Sequence, residues 1–369
     1  MKFLQILSFY DQYWNSVYLQ HPQLKNQSYA DQLQYFIEDG FGAGHLIAPY
    51  MSVWHEPRII LANIVPLQKR WSEENQPDLL RESNWLHKVI AAQVHQFSPD
   101  IIHATDPIAY DSRFFRSIRF SPRILVGWRA ASIPKETDWS DFDAIFSNSK
   151  VSLQLATKQG AHSGIYALPG FPSRVLDSCM GGPKKWDLFF SGQWSFEHQK
   201  RNQYLSSLAE VYGTGSNSER FGLFLLADGQ SPPDRIRTLN RGPLFGLEYY
   251  RQTQFSRIAF NSTIDFAGDE AGNMRLFETT GMGTFLLTET HGNLDSLFEP
   301  GKEIETFSSK EELLEKCHYF LAHPAEREQI ARRGLERCQR DHSLQQRAAL
   351  LEEHIGKLWR KKENEKKSL

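Results

Sequence analysis

Short apolar runs alternate with helical patterns along the whole chain, and that alternation is its first legible feature. "KFLQIL" near the start reads as a strand. "SYADQLQYFIEDG" reads as a helix capped by Ser28 and stopped at Gly40. "RIILAN" is a second strand, ending at Asn63. "LLRESNWLHKVIAAQVHQF" carries apolar residues at helical spacing and runs into Pro99. "DIIHATDP", "RILVGW" and "DAIFSNS" are then buried strands that each end in small or polar residues. Such endings place those residues at the carboxyl edge of a parallel sheet, where open α/β sheets bind ligands.

Between residues 168 and 185 the texture changes. "LPGFPSRVLDSCMGGPKK" is rich in proline and glycine without periodicity, and reads as a linker. The alternation then restarts. "WDLFFSG" and "FGLFLLADG" are strands on either side of the helix "HQKRNQYLSSLAEVYG". "GLEYYRQTQFSRIAFNS" is a short helix feeding a strand, and "NMRLFETTGMGTFLLTE" repeats that order. A helical pair broken at Pro324 follows, and a last helix runs from about Ser343 to Lys361. The expected architecture is therefore α/β with two consecutive Rossmann-like domains, a cleft between them and a closing C-terminal helix. The boundaries fall at 1–175 for the first domain and 183–340 for the second, with 341–369 as a helix returning to the first domain and a basic tail.

Composition narrows the function classes. The 369 residues carry a formal net charge of -2, without the basic footprint that nucleic-acid binding leaves. Cys179, Cys317 and Cys338 show neither metal spacing nor a disulfide framework and fit a reducing compartment. "KFLQILSFY" turns polar too quickly for a signal peptide or span, so a cytoplasmic protein is expected. The tail "KLWRKKENEKKSL" is either a solvated end or a weak attachment to an anionic membrane surface. A dinucleotide fingerprint is missing: "DGFGAGH" lacks the spacing of G-x-G-x-x-G and follows a helix, so it reads as a helix stop with a tight turn.

Three constellations carry candidate chemistry. In the first, Glu270 and Glu278 stand eight positions apart across "EAGNMRLFE". With Gly272 or Asn273 capping, a helix starts near Met274, and its free N–H groups and dipole favour an anion such as a diphosphate. Arg275 and Glu278 share one helix face. The plain reading is a surface ion pair. The functional one gives Arg275 to phosphate and Glu278 to a vicinal diol such as ribose. In the second, "FFSGQWSFEHQKRNQY" ends a strand at Gly192, whose bare backbone a ligand can approach, followed by Gln193 and by His198, Lys200 and Arg201 at a helix start. Either these cations neutralise phosphate or they are a solvated helix start. In the third, His103 and Asp106 follow the strand of "DIIHATDP". His103 is a candidate general base or a strand-end histidine without catalytic duty. Asn63, Arg129 and Ser132 lie at comparable strand ends and are candidates to line an acceptor pocket. "DFD" at 141–143 superficially matches a metal-binding D-x-D but runs straight into an apolar strand, and is read as loop.

The run "LFGLEYYRQTQFSRIAFNS…GNMRLFETTGMGTFLLTE…LDSLFEPGKEIETFSSKEELLEKCHYFLAHPAEREQIARRG" resembles the C-terminal domain of glycosyltransferases of the two-Rossmann-domain (GT-B) type. It is most similar to the CgeB-like branch of the large retaining group. "DLFFSGQWSFEHQKR" resembles the first strand and loop of that domain, and "FSPDIIHATDP" and "LPGFPSRVL" resemble the branch's N-terminal half. The resemblance implies transfer of a sugar from a nucleoside diphosphate sugar to a hydroxyl of a glycan, lipid-linked or protein acceptor, with retention and without a metal ion or other cofactor. By analogy Glu278 holds the ribose hydroxyls and Glu270 lies nearer the sugar; with the readings above, the expected donor set is Gly192, Gln193, Lys200, Arg201, Asn261, Gly272, Asn273, Met274, Arg275 and Glu278, with His103, Asp106 and Glu270 as catalytic candidates. The group's E-x7-E pair matches Glu270 and Glu278, although "GDEAGNMR" departs from the usual glycine pattern after the first acid. A non-catalytic sugar-nucleotide or glycan-binding protein on the same fold, or an epimerase or phosphorylase, are the rival readings.

Overall fold

The computed structural model describes residues 1–51, 56–179 and 181–367. The chain divides into two compact units, one built from Met1–Leu168 with Gln345–Leu369 and the other from Pro169–Leu344.

In the first unit the strands β1 (Lys2–Leu7), β2 (Glu56–Leu61), β3 (Ile101–Ala104), β4 (Ile124–Trp128), β5 (Ala144–Ser147) and β6 (Gly164–Tyr166) form one sheet in the order β2-β1-β3-β4-β5-β6. Every pairing is parallel. Chain direction around the sheet reverses between β1 and β3, which makes that edge its topological switch point. The helix Tyr29–Asp39 begins as the sequence predicts: the Ser28 hydroxyl accepts from the Asp31 N–H at 3.1 Å, and Gly40 closes it at φ 72°. β3 and β5 are buried throughout, as strands covered on both faces must be. One cover is the last helix, Leu344–Lys367: Ala348, Leu351 and Ile355 pack with Phe3, Ile101, Val126 and Phe146. Arg123 stacks on Trp359 at 3.5 Å, and Lys362 Nζ reaches the Arg123 carbonyl at 2.8 Å and the Asp143 carboxylate at 2.6 Å.

The second unit holds β7 (Trp186–Trp194), β8 (Phe221–Ala227), β9 (Ser256–Asn261), β10 (Phe285–Glu289) and β11 (Glu305–Phe307), in the order β11-β10-β9-β7-β8. Its pairings are parallel as well, and the switch point falls between β7 and β9. Phe190, Leu223, Ile258, Phe260 and Leu287 pack against Leu205 and Leu208 of the helix Gln199–Tyr212 and against Leu313, Cys317 and Phe320 of the helix Lys310–Ala322.

The proline- and glycine-rich stretch expected to be a linker is largely part of this unit. Phe171 is fully buried, donates its N–H to the His342 carbonyl at 2.8 Å and accepts from the Leu344 N–H at 2.9 Å. A short helix, Val175–Cys179, follows it. Isolated apolar residues at 171 and 175 hold the segment in place, and these form no periodic run a sequence reading can see.

Candidate functional site

The carboxyl edge of the second sheet gathers most of the candidate residues at its switch point. β9 ends in Asn261 and continues as Ser262 and Thr263, all buried. The helix Met274–Gly281 starts beside them, with Asn273 as its extended N-terminal neighbour. Asn273 does not cap the helix with its side chain. Its amide instead exchanges hydrogen bonds with Asn261: Asn273 Nδ2 donates to Asn261 Oδ1 at 2.8 Å, and Asn261 Nδ2 donates back at 3.2 Å and to Thr288 Oγ1 at 2.9 Å. The helix start is therefore held against β9 while its positive end is left without a carboxylate or hydroxyl cap. Gly272, at φ 148°, takes a backbone conformation that other residues rarely adopt and turns the chain into that start.

β7 supplies the opposite wall. Arg275 Nε donates to the Ser191 carbonyl at 2.5 Å, and its guanidinium lies 5.6 Å from the centre of the Phe190 ring. Arg201 lies over the same ring at 5.2 Å and donates to the Gln193 carbonyl. Two guanidinium groups thus lie near Phe190 on β7, close enough for each to feel the other's charge. A side chain at Gly192 would bring its Cβ within 3.0 Å of Arg275 Nη2, so glycine is what lets the cation lie across the strand. Arg201 is only 2% exposed, its Nε has no partner, and burial with the nearby Arg275 presses against its charged form, while Asp265 supports it. Guanidinium does not give up its proton in proteins. The pair is therefore held positive at an energetic cost that an incoming anion would relieve.

Of the two readings of Lys200 and Arg201, a solvated helix start does not describe both residues. They are adjacent in sequence but face differently. Lys200 is exposed and forms an ion pair with the buried Glu289 at the end of β10, while Arg201 turns into the protein. Glu289 also accepts from Ser262 Oγ at 2.7 Å. His198 is bound to Ser195 Oγ at 2.8 Å, and burial, with Arg201 and Arg275 alongside, pushes its pKa down to about 3. It is neutral at physiological pH.

Glu278 is not the surface acid of the plain reading. It is 6% exposed, and the Tyr250 hydroxyl donates to its Oε1 at 3.3 Å; Tyr249 also bonds to it. Burial raises its pKa, and Arg275 and the two tyrosines work against that rise. Glu270 sits half-buried in the loop before the helix. Asp269 accepts from the Gly292 N–H at 2.9 Å, and Asn293 exchanges hydrogen bonds with the Ala271 backbone at 2.7 and 2.9 Å. These contacts tie the acid-bearing loop to the turn after β10. Sequence reading missed Tyr249, Tyr250 and Glu289. Each is paired with a residue far away in the chain, and no local pattern marks such a pairing.

The candidates of the first unit fare differently. His103 is the next-to-last residue of β3, but it is 2% exposed, and neither ring nitrogen has a hydrogen-bond partner. Burial, helped by His45, pushes its pKa down to about 3. A base that weak is poorly matched to proton transfer near neutral pH. Asp106 accepts from the Ala109 N–H at 3.3 Å and shapes the turn after the strand. Asn63 bridges the Phe9 backbone in both directions, at 2.8 and 2.6 Å. Arg129 donates to the Ser132 carbonyl within its own loop, Nε at 3.1 Å. Asp143 of "DFD" accepts from the Leu125 N–H at 2.9 Å besides pairing with Lys362, so it is a structural acid. Among the described residues no three His, Cys, Asp or Glu side chains converge as metal ligands. None of the described helices is long and apolar enough to cross a membrane.

Solved structures share the fold. HepE (Alr3699) of Anabaena, in complex with UDP and glucose, aligns with a TM-score of 0.59 at 11% identity, over 97% of this chain and 100% of that one. The glycosyltransferase of Rickettsia africae ESF-5 aligns at 0.56 and 12%, over 97% and 98%. HepE in complex with UDP-glucose aligns at 0.55 and 12%, over 97% and 100%. The fold is the two-Rossmann-domain, GT-B type. Residues 201–353, which include the switch-point helix and both flanking strands β9 and β10, match the family model described as glycosyl transferase-like. No curated protein matches the chain significantly by sequence.

Proposed function

We propose that the chain is a glycosyltransferase that takes its sugar from a nucleoside diphosphate sugar bound at the β7–β9 switch point. The observation that carries this is the pair of guanidinium groups, Arg201 and Arg275, gathered at Phe190 beside the bare backbone of Gly192 and a helix start without a side-chain cap. A diphosphate fits that charge and shape. Arg275, Lys200 and the N–H groups at Met274 take up the charge that grows on the departing diphosphate, in place of a metal ion. Lys200 does so by leaving Glu289. Glu278, oriented by Tyr249 and Tyr250, receives the ribose hydroxyls, and Asn261, Asn273 and Gln193 frame the phosphates. Glu270 lies nearer the sugar. The acceptor hydroxyl belongs to a glycan, lipid-linked or protein substrate, and the transfer retains configuration, as the resemblance to the retaining group implies. His103 takes no part in proton transfer. HepE, of like fold, was crystallised with UDP-glucose, which makes that compound the first donor to try.

A panel of nucleoside diphosphates and their sugars, read by thermal shift and then by release of sugar, tests this. Stabilisation by one diphosphate sugar with slow hydrolysis in chelator is the expected result. Binding without turnover of any donor overturns the enzymatic reading, and no shift with any nucleotide overturns the site.

A further inference from the structure

At the carboxyl edge of the first sheet, the glycine-rich turn 40–45 joins two aromatic patches. Gly40 and Gly42 take φ of 72° and 63°, a region open chiefly to glycine, and a side chain at Gly42 would crowd the Phe9 ring at 3.3 Å. At one end of the turn the Phe41 ring meets Tyr10, just beyond β1, edge-on with centres 5.6 Å apart. At the other end the His45 ring leans on Trp128, the last residue of β4, at 4.7 Å. β1 and β4 flank β3, so two strand spacings, about 10 Å, separate them. Tyr10 is 50% exposed, and Phe41, His45 and Trp128 are half-buried. Among the described residues neither ring nitrogen of His45 nor Trp128 Nε1 has a hydrogen-bond partner, and none of the three is sealed from solvent as the nitrogens of His103 are.

The charged neighbours at this edge are tied up locally. Asp11 accepts from Trp14 Nε1 at 2.9 Å and from Asn63 Nδ2 at 3.2 Å, Asp106 accepts from the Ala109 N–H, and Arg129 donates to the Ser132 carbonyl. Burial pushes the pKa of His45 down to about 4, so its imidazole is neutral, with one donor and one acceptor. The strip thus presents ring faces and neutral polar groups, where the edge of the second sheet presents cations. A phosphate finds no free cation to pair with, and a lipid chain would bury the open N–H groups without a partner. A sugar ring suits both features: its C–H face rests on an aromatic face, and its hydroxyls donate and accept. We infer that this strip holds the acceptor and that the acceptor is a neutral glycan, one ring stacked at Trp128 with a hydroxyl bonded to His45 and the next running toward Phe41 and Tyr10. The acceptor role rests on the glycosyltransferase reading above, whereas the binding of the glycan does not.

The test uses the full chain labelled with ¹⁵N and its tryptophan indole N–H resonances, with maltose, cellobiose and lactose as probes. Trp128→Phe identifies the Trp128 signal by its loss. At least one disaccharide should shift that signal saturably. His45→Ala should weaken the binding about 10-fold, the loss of one good contact, and His45→Gln, which keeps a donor and an acceptor, should recover part of it. Tyr10→Ala, at an exposed position that leaves the fold intact, should also weaken the binding about 10-fold. The inference falls if none of the three sugars moves the Trp128 signal, or if either alanine variant leaves the affinity unchanged. It also falls if farnesyl phosphate moves the signal where the disaccharides do not. Failure of every nucleotide sugar to bind would overturn the glycosyltransferase reading and the acceptor role with it, while the glycan result stands.

Discussion

The two sheets end alike in topology and differently in chemistry. Near the carboxyl edge of the first, beside its switch point, His103 is buried next to Gln5 and His45 with both nitrogens unpartnered. At the same place in the second, two arginines, an amide pair and a tyrosine-bound glutamate converge. A parallel sheet provides the edge in both cases. What makes one edge a site is that its polar groups hold one another in fixed geometry while leaving positive charge unspent. A titratable residue at a strand end is therefore a weak sign of chemistry unless its neighbours keep it hydrated or bonded.

The comparison predicts its own failures. The largest effect belongs to Arg275→Ala: losing a guanidinium with buried, charge-assisted contacts should weaken nucleoside diphosphate binding by about 100-fold, measured by calorimetry. An unchanged affinity would erase the distinction between the two edges. Asp143→Ala leaves the buried Leu125 N–H without its carboxylate acceptor and Lys362 with only the Arg123 carbonyl, so stability should drop by about 2 kcal/mol in chemical denaturation while nucleotide binding holds. Weaker binding after that change would show the first unit's acid to be more than structural.

Glu278→Gln sharpens the second edge by setting function against stability. Donor affinity should fall about 10-fold as one charge-assisted bond is lost. Burial raises the carboxyl above its ordinary 4.5, so the folded chain keeps a proton that the unfolded chain releases there. Stability consequently falls as pH rises above 4.5, and the glutamine variant should be the more stable at neutral pH, the gain vanishing below pH 4.5. Thermal melts across pH read this directly. The smallest effect is at His103→Leu. Below its ordinary 6.5 the unfolded chain takes up a proton that the folded ring refuses until about 3. That histidine's contribution thus drains away as pH falls through the window, at up to about 1.4 kcal/mol per pH unit. The leucine variant should lose less stability between pH 6.5 and 5 and keep its turnover. A sharp fall in turnover would restore His103 to the chemistry.

Sequence periodicity exposed the long elements because their apolar faces repeat. β6 and β11 escaped it: "GIY" and "ETF" are three residues each, too short for any period. The helix at Met274 was readable from the glycine and asparagine before it and the apolar stripe within it. The placement of Lys200 and Arg201 was not, since adjacent residues on a helix point about 100° apart and only the packed neighbours decide which is buried. For the same reason the sequence left a surface ion pair open beside the ribose-binding reading of Glu278, whose enclosure by Tyr249 and Tyr250 of another helix no local pattern marks.

The first unit is assembled from two stretches of chain, with the whole second unit spliced between them. During synthesis its six strands emerge early, but Ala348, Leu351 and Ile355, which seal the face formed by Phe3, Ile101, Val126 and Phe146, arrive only after residues 169–344 have been made. The nascent first unit must wait with an oily flank uncovered, a target for chaperones and for misassociation. Ribosome pausing or truncation late in the message would therefore damage the earliest-made domain first.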